Sequence, residues 1–524
     1  MRYKGGKRSY RKKRRSRLVV LSRVLLASKF AVASEHPLAS VAGHEVMVEG
    51  GNAVDAVTAT SFALSVLQPA LGGIGGDFFA LFYEAKTGKV HCINSSGWAP
   101  SSLTPKFLEE RGHRGVPSFG PFSVVVPGLV KGVHAFQKRF GRLEFPSLLS
   151  RAIEYAKDGF ASSPGLSNAV RVSLSSLSEE ARRAMSASDA PPEPGELIRQ
   201  KSLAKALQDI AEAGPSAFYN GWIAESICEE LSGRGVPINI RDFTDFEPEW
   251  VNPLEIDYRG ATVHEVPPNS MGATTLLILS YLRQIDLKRL RPNSRERIEL
   301  TLKAAQAAYR KRDSMLGDPR FAKINLDEFL SVEGETRPLI ETEQRVLGDA
   351  DTTYFAVADE EGNLVSAIQS LFHQFGSKVF VKECGVFLNN RGSAFRFSGP
   401  NGLAPRKRPL HTLSALLLGK GDEPTIALGS SGGELRPQQH ALFTTNIVDY
   451  SMGLDEAIDF PRFLWEGGNT LNIERGYTGL RNLPFDVHNI PYPGKTGVAQ
   501  GVQRLKGSVK AVCDVRGDGL PVGR

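Results

Sequence analysis

The stretch from Asp351 to Ser377 admits few folds. Two runs of alternating, β-leaning residues, Thr352 to Ala358 and Leu364 to Ser370, flank an Asp-Glu-Glu-Gly-Asn loop, which is the pattern of a β-hairpin. A register symmetric about Glu361 sets Thr352 opposite Ser370, since each lies nine residues from that centre. Directly opposed residues have Cβ atoms about 4.5 to 5.5 Å apart, close enough for two hydroxyls to interact. A threonine hydroxyl is a weak nucleophile until a base takes its proton. The amine of an N-terminal threonine, with a pKa of about 7.7 to 8, is such a base. Thr352 acquires that amine only if the chain is cut between Asp351 and Thr352. Thr353 is the neighbouring alternative, because sequence alone does not fix a cut to one residue. The resulting hypothesis is self-cleavage followed by amide chemistry.

Length and composition leave room for that reading. The 524 residues are 41% hydrophobic and 23% charged, ordinary globular values with ample material for a core. The net charge of +7 is misleading, since the first 17 residues hold ten of the 64 Lys and Arg and none of the acids. The remainder has 54 basic against 57 acidic residues, so neither nucleic acid nor membrane is an expected partner. An apolar run at 18–28 follows the basic stretch, but Arg23 interrupts it and Lys29 follows. Residues 1–29 are therefore read as a loose basic tail or an over-long start rather than a secretion signal. Four scattered cysteines form no C-x-x-C pair, which suits small core hydrophobes in a reducing, cytoplasmic setting. There is no zinc signature, and neither a metal nor any other cofactor is expected.

Asn52 is a plausible cap for a buried helix running to Leu67, and strand-like runs follow at 77–84 and 89–95. Helical stretches then dominate to Met315, including one over 145–157. Beyond Thr352 the balance shifts to strands at 352–358, 364–370, 379–388, 412–418 and 424–429, before helices resume near Arg436 and Leu454. Sheets with segregated helices indicate an α+β, layered chain. Gly72 to Gly76 lacks the Lys-Ser/Thr of a phosphate-binding loop and is better read as tight backbone packing. The turn after Thr425 to Leu428, ending in Gly432 and Gly433, leaves backbone N–H groups open to close approach.

Several strings, in this order, are similar to the γ-glutamyltranspeptidase family of N-terminal-nucleophile hydrolases. They are Ala33 to Ser40 (ASEHPLAS), Gly50 to Ala56 (GGNAVDA), Gly72 to Gly76, Val126 to Gly128 (VPG), Phe218 to Gly221 (FYNG), Pro267 to Gly272 (PPNSMG), and the Thr352 segment. The resemblance runs from about Phe30 to the C-terminus and implies a four-layer αββα sandwich. It implies fragments 30–351 and 352–524, cut between Asp351 and Thr352 and held together as a heterodimer, or as a dimer of these. It implies Thr352 as nucleophile, Ser370 as a supporting hydroxyl, and the N–H groups of Gly432 and Gly433 as an oxyanion hole. The partner is a small-molecule amide.

The substrate positions depart from the glutathione-cleaving members. Ser96 stands where those have an arginine, Phe372 where an asparagine is expected, and His411-Thr412 where two serines lie. After Asn389-Asn390 the chain has Arg391 and Ala394 in place of Gln and Asp. An α-ammonium group thereby loses its carboxylate partner, and an unpaired buried charge is costly. Ser96, Arg391, His411 and Thr412 are the candidate substrate-binding residues, with Arg391 suited to gripping a carboxylate bidentately. The expected enzyme is an amidohydrolase or acyltransferase for acidic acyl groups. A true γ-glutamyl transferase with an altered pocket is the first alternative, and an uncleaved, inert binding protein the second.

Overall fold

Strand alternation divides the hairpin's side chains between two cores. On Asp351–Ala358, Phe355 and Val357 pack with helices, whereas Tyr354, Ala356 and Ala358 face a second cluster lying between two sheets. This is a computed structural model, describing residues 23–186, 188, 190–332, 351–421 and 423–524. The first sheet runs, edge to edge, Pro521–Gly523, Ala31–Ser34, Asp351–Ala358, Leu364–Phe372, Asp77–Glu84, Lys89–Ser95 and Glu249–Val251. The second runs Arg23–Ala27, Ser508–Cys513, Ala499–Leu505, Glu423–Ser430, Leu416–Lys420, Ala261–Glu265 and Leu254–Tyr258. All neighbours in both sheets are antiparallel.

Three cores follow from this stacking. Helices Pro37–Val48, Ala53–Leu67 and Leu129–Phe140 pack on the outer face of the first sheet. Helices Gly272–Leu282, Arg295–Met315 and Arg436–Val448 pack on the outer face of the second. Between the sheets lie small side chains such as Ala31, Ala33, Ala356, Ala358, Ala415, Ala427 and Ala511, which let the two layers approach. The expected αββα sandwich is the fold observed. Strands from before and after residue 352 interleave in both sheets, so the proposed fragments share their cores.

Local chemistry accounts for the elements that position the hairpin. Every residue of Ala53–Leu67 is buried, as expected of a helix apolar on all sides. Its start is a capping box: Asn52 accepts from the N–H groups of Val54 and Asp55, while the Asp55 carboxylate accepts from Asn52 N. Such a cap contributes about 1 kcal/mol.

Four expectations change. Residues 1–22 lie outside the described residues, and the tail expected through residue 29 gives way at Arg23–Ala27 to an edge strand paired with Ser508–Cys513. The Arg23 guanidinium donates to the carbonyls of Gly517 and Gly519, which gives the interrupting charge a structural role. The strand expected over 379–388 is two short strands, Phe380–Val381 and Val386–Phe387, folded back on each other by a turn in which Gly385 N donates to Val381 O. The helix expected over 145–157 is broken at Leu149 into Phe145–Leu148 and Ser150–Asp158. The strand expected from residue 412 begins at Leu416, because the preceding carbonyls are taken by side chains: Thr412 O by Arg436 and Leu413 O by Ser270.

The glycine cluster does pack tightly. A Cβ on Gly75 would lie 2.2 Å from Phe387 O, and one on Gly76 would lie 2.4 Å from Ser370 O. Gly76 thus sets how closely the chain can pass the Ser370 strand. Overpacking of this kind costs about 1 to 3 kcal/mol. Gly76→Ala is expected to lower the melting temperature and to reduce the yield of cleaved fragments on a denaturing gel. An unchanged melting temperature with full cleavage would show that the contact relaxes freely.

Candidate active site

The hairpin register is symmetric through Thr353↔Gln369 and Tyr354↔Ile368, then shifts at a bulge so that Asp351 pairs with Phe372. Thr352 lies within that bulge, where it meets Ser370: its Oγ1 donates to Ser370 Oγ at 3.2 Å. Ser370 Oγ also accepts from Phe372 N at 2.7 Å, and both hydroxyl residues are fully buried. Thr353 belongs to the other face. Its methyl would lie 3.1 Å from a Cβ on Gly72, and its hydroxyl is buried without a partner. Of the two candidate threonines, only Thr352 shares a face with Ser370. Asp351 is described by its backbone alone, and the sequence before it, 333–350, lies outside the described residues.

The second sheet brings the glycine turn to the same end of the sandwich. A Cβ on Gly429 would fall 2.4 Å from the Tyr354 ring, so the two sheets touch two residues from Thr352 and three from Gly432. Gly432 and Gly433 then take φ of +134° and +52°, values that suit glycine. Among the described residues neither N–H donates to a backbone acceptor. Gly432 lines a cavity of about 1090 Å³ together with Gln68, Leu71, His373, Ser431 and Leu435. Two successive glycine N–H groups without backbone acceptors are donors of the kind that stabilise a developing oxyanion.

Arg391 opens a short turn, Arg391–Ala394, and is fully buried. Its guanidinium lies 4.2 Å from the centre of the Phe372 ring, and its Nη1 donates to Thr412 Oγ1 at 2.7 Å. Nε and Nη2 have no hydrogen-bond partner. The nearest carboxylate, Asp77, stands 4.0 Å from Nε. Burial pulls the guanidinium down to about 9, opposed by Asp77 and Glu434. Phe372 has taken φ of +89° at the strand end, an uncommon conformation for an aromatic residue. Its ring is the platform for this charge, linking Arg391 through Phe372 N to Ser370.

Asp77 organises the ground behind the site. It is paired in register with Ser370, and its Oδ1 accepts from Gly97 N at 2.8 Å and Gly128 N at 3.2 Å. Its Oδ2 lies 2.8 Å from His411 Nε2. Since His411 Nδ1 accepts from Leu413 N at 3.2 Å, the proton sits on Nε2 and is donated to Asp77. Burial, reinforced by Arg391, pushes His411 down to about 3, so the ring stays neutral.

Ser96 and His411, expected to touch substrate, have their polar atoms engaged within the protein. Both His411 nitrogens are engaged. Ser96 Oγ donates to Asn94 Oδ1 at 2.7 Å and accepts from Asn269 Nδ2 at 3.1 Å. Each is held by one neighbour two residues away, Asn94 and Leu413, and by one distant partner, Asn269 and Asp77. Thr412 lines a small cavity of about 30 Å³ with Met271, Ala394 and Glu434. Asp77, Asn269 and Arg436 escaped sequence reading. The signals were slight: Asp77 directly follows the glycine cluster, and Arg436 follows the Gly432-Gly433 turn by three residues.

His411 gives the fold a pH dependence of defined sign. In the unfolded chain it takes a proton near pH 6.5, whereas in the folded chain it does so only near 3. Below pH 6.5 the unfolded state therefore binds a proton that the folded state refuses, and stability falls with pH. His36, pushed down to about 4 by burial, acts in the same direction. Denaturant midpoints are expected to decline from pH 6.5 to 4.5, on the order of 1 kcal/mol per pH unit for each histidine. In His411→Asn the slope should shrink by about one proton. An unaltered slope would mean His411 is protonated in the fold.

Comparison with known proteins gives the family and the fold. The family profile described as gamma-glutamyltranspeptidase matches residues 39–523. The glutathione hydrolase-like YwrD proenzyme of Bacillus subtilis is 35% identical, with 96% of this chain and all of that protein covered. The oxamate amidohydrolase proenzyme of Klebsiella pneumoniae is 29% identical over 94% of this chain and 98% of its own length. Among solved structures, the cephalosporin acylase from Bacillus halodurans superimposes with a TM-score of 0.89 at 29% identity, covering 100% of this chain and 99% of that one.

Proposed function

The chain belongs to the γ-glutamyltranspeptidase family and is an N-terminal-nucleophile hydrolase or acyltransferase made as a self-processing proenzyme; on that premise we propose that Thr352 is its nucleophile and that it cleaves amides whose acyl group carries a carboxylate. The observation that carries this reading is the pairing of Thr352 Oγ1 with Ser370 Oγ, one cation–π contact away from the incompletely bonded guanidinium of Arg391. Self-cleavage is an N-to-O acyl shift: Thr352 Oγ attacks the Asp351 carbonyl, the C–N bond breaks, and water hydrolyses the ester. The products are an Asp351 carboxylate and a Thr352 amine. In the mature enzyme that amine, directly or through water, takes the hydroxyl proton as Oγ attacks the substrate carbonyl. The N–H groups of Gly432 and Gly433 stabilise the oxyanion, the leaving amine departs protonated, and an acyl ester forms. Water or an acceptor amine resolves it.

Arg391 supports an acidic acyl group because a guanidinium with two of its three nitrogens unpartnered in a dry site favours an anion. The relative named as an oxamate amidohydrolase agrees with that preference. Two measurements test the reading. Intact mass spectrometry and a denaturing gel should show the 57.0 kDa chain dividing into fragments of roughly 38 and 19 kDa, in proportion to residues 1–351 and 352–524. Thr352→Ala should remain one band and form no acyl adduct. Cleavage persisting in that variant would transfer the role to another residue. For Arg391→Ala, the kcat/KM preference for dicarboxylic half-amides over neutral amides should drop roughly 10- to 100-fold, the worth of a charged hydrogen bond. Unchanged selectivity would remove Arg391 from the site.

A further inference from the structure

A second guanidinium stands beside the first. Arg436 is the first residue of helix Arg436–Val448, three residues beyond Gly433, and is fully buried. Arg391 and Arg436 come from different elements and converge on Thr412. Arg391 Nη1 donates to the Thr412 hydroxyl, and Arg436 Nη1 donates to the Thr412 carbonyl. Arg436 Nε is taken by Ser430 O at 2.7 Å, but its Nη2 is unpartnered. Other buried arginines differ. Arg297, Arg408 and Arg462 have hydrogen bonds or ion pairs at both terminal nitrogens and lack a partner only at Nε. Among the described residues, Arg391 and Arg436 alone bury a terminal guanidinium nitrogen without a partner.

Nearby carboxylates do not answer these donors with hydrogen bonds. Asp77 is occupied by His411, Gly97 and Gly128, and Glu265 by Ser414 and His440 Nδ1. Burial pulls Arg436 down to about 9, with Arg391 adding to the effect. Two like charges held together in a desolvated place favour an anion that accepts from both. Three N–H-bearing nitrogens are open: Nε and Nη2 of Arg391 and Nη2 of Arg436. A carboxylate has two oxygens and about four lone-pair sites, enough to accept all three.

We propose that Arg436 is a second specificity-determining residue, gripping together with Arg391 the terminal carboxylate of the acyl group. The inference rests on the reading of Thr352 and Arg391 above and narrows its substrate class. The acyl donors are mono-amides of short dicarboxylic acids that carry no amino group beside the carboxylate. An α-ammonium there would face two guanidiniums, so γ-glutamyl amides are poor substrates.

The test compares p-nitroanilides of succinic and glutaric acids with the anilides of their monomethyl esters, which keep the shape and remove the charge. After fragment formation has been checked on a gel, wild type, Arg391→Ala, Arg436→Lys and Arg436→Gln are assayed. The acid-over-ester ratio of kcat/KM is expected to fall at least 10-fold in Arg436→Gln, through KM, and less in Arg436→Lys. A purely structural role would depress both substrates equally and leave the ratio unchanged. A ratio lost in Arg391→Ala and intact in Arg436→Gln overturns this inference and leaves the function reading standing. A ratio intact in both variants overturns both. Should the Arg436 variants fail to fold or process, inhibition of the wild-type enzyme decides. Glutarate is expected to inhibit at least 10-fold better than L-glutamate, and equal inhibition overturns the proposal.

Discussion

The site depends on one buried carboxylate. Asp77 is fully buried and holds the protonated nitrogen of His411, the N–H groups of Gly97 and Gly128, and, at longer range, the charge of Arg391. A carboxylate in that position is tolerable only because its hydrogen bonds and a nearby cation compensate desolvation. Its backbone is also paired with Ser370. One residue therefore ties the strand that supports the threonine hydroxyl to the turn that presents Arg391 and to the segment carrying Thr412. Breaking it would take from a guanidinium deep in the protein the carboxylate nearest to it, leaving only the weaker influence of Glu434.

The sandwich makes this arrangement rigid. Alanines and glycines on the facing sheets bring Tyr354 against Gly429, with little free volume for either sheet to slide. The hydroxyl pair comes from the first sheet and the glycine turn from the second. Their relative placement is set by packed backbone rather than by a mobile loop, which is the kind of preorganisation that electrostatic catalysis requires.

Much of this was legible in the sequence where the cause is local. The hairpin register could be read from its alternation and loop, and the Asn52 cap from three neighbouring residues, because nearby atoms decide both. The bulge at Thr352 could not, although it shifts only the last pair and leaves Thr352 beside Ser370. Ser96 and His411 have the polar chemistry of substrate ligands, and nothing in their own segments shows that the distant Asn269 and Asp77 engage them. Arg436 reads as an ordinary helix-start residue until the fold removes it from water. Charges whose partners lie hundreds of residues away have no periodicity to reveal them. The edge strand at Arg23–Ala27 was hidden for a related reason: beside a basic stretch its composition suggests a tail, and only the distant Ser508–Cys513 strand makes it part of a sheet.

The interleaving of the strands carries a further consequence. In the first sheet Asp351–Ala358 and Leu364–Phe372 lie between Ala31–Ser34 and Asp77–Glu84, so neither half of the chain contains a complete sheet. With the proposed cut before Thr352, the two polypeptides stay together through burial and strand-to-strand hydrogen bonds rather than through a covalent link. Thermal or chemical disruption then releases two separate molecules, and regaining the native state becomes a bimolecular event that dilution disfavours. The precursor folds reversibly in principle as one chain, whereas the mature enzyme persists by the height of its unfolding barrier. Its lifetime, more than its equilibrium stability, sets how long it works.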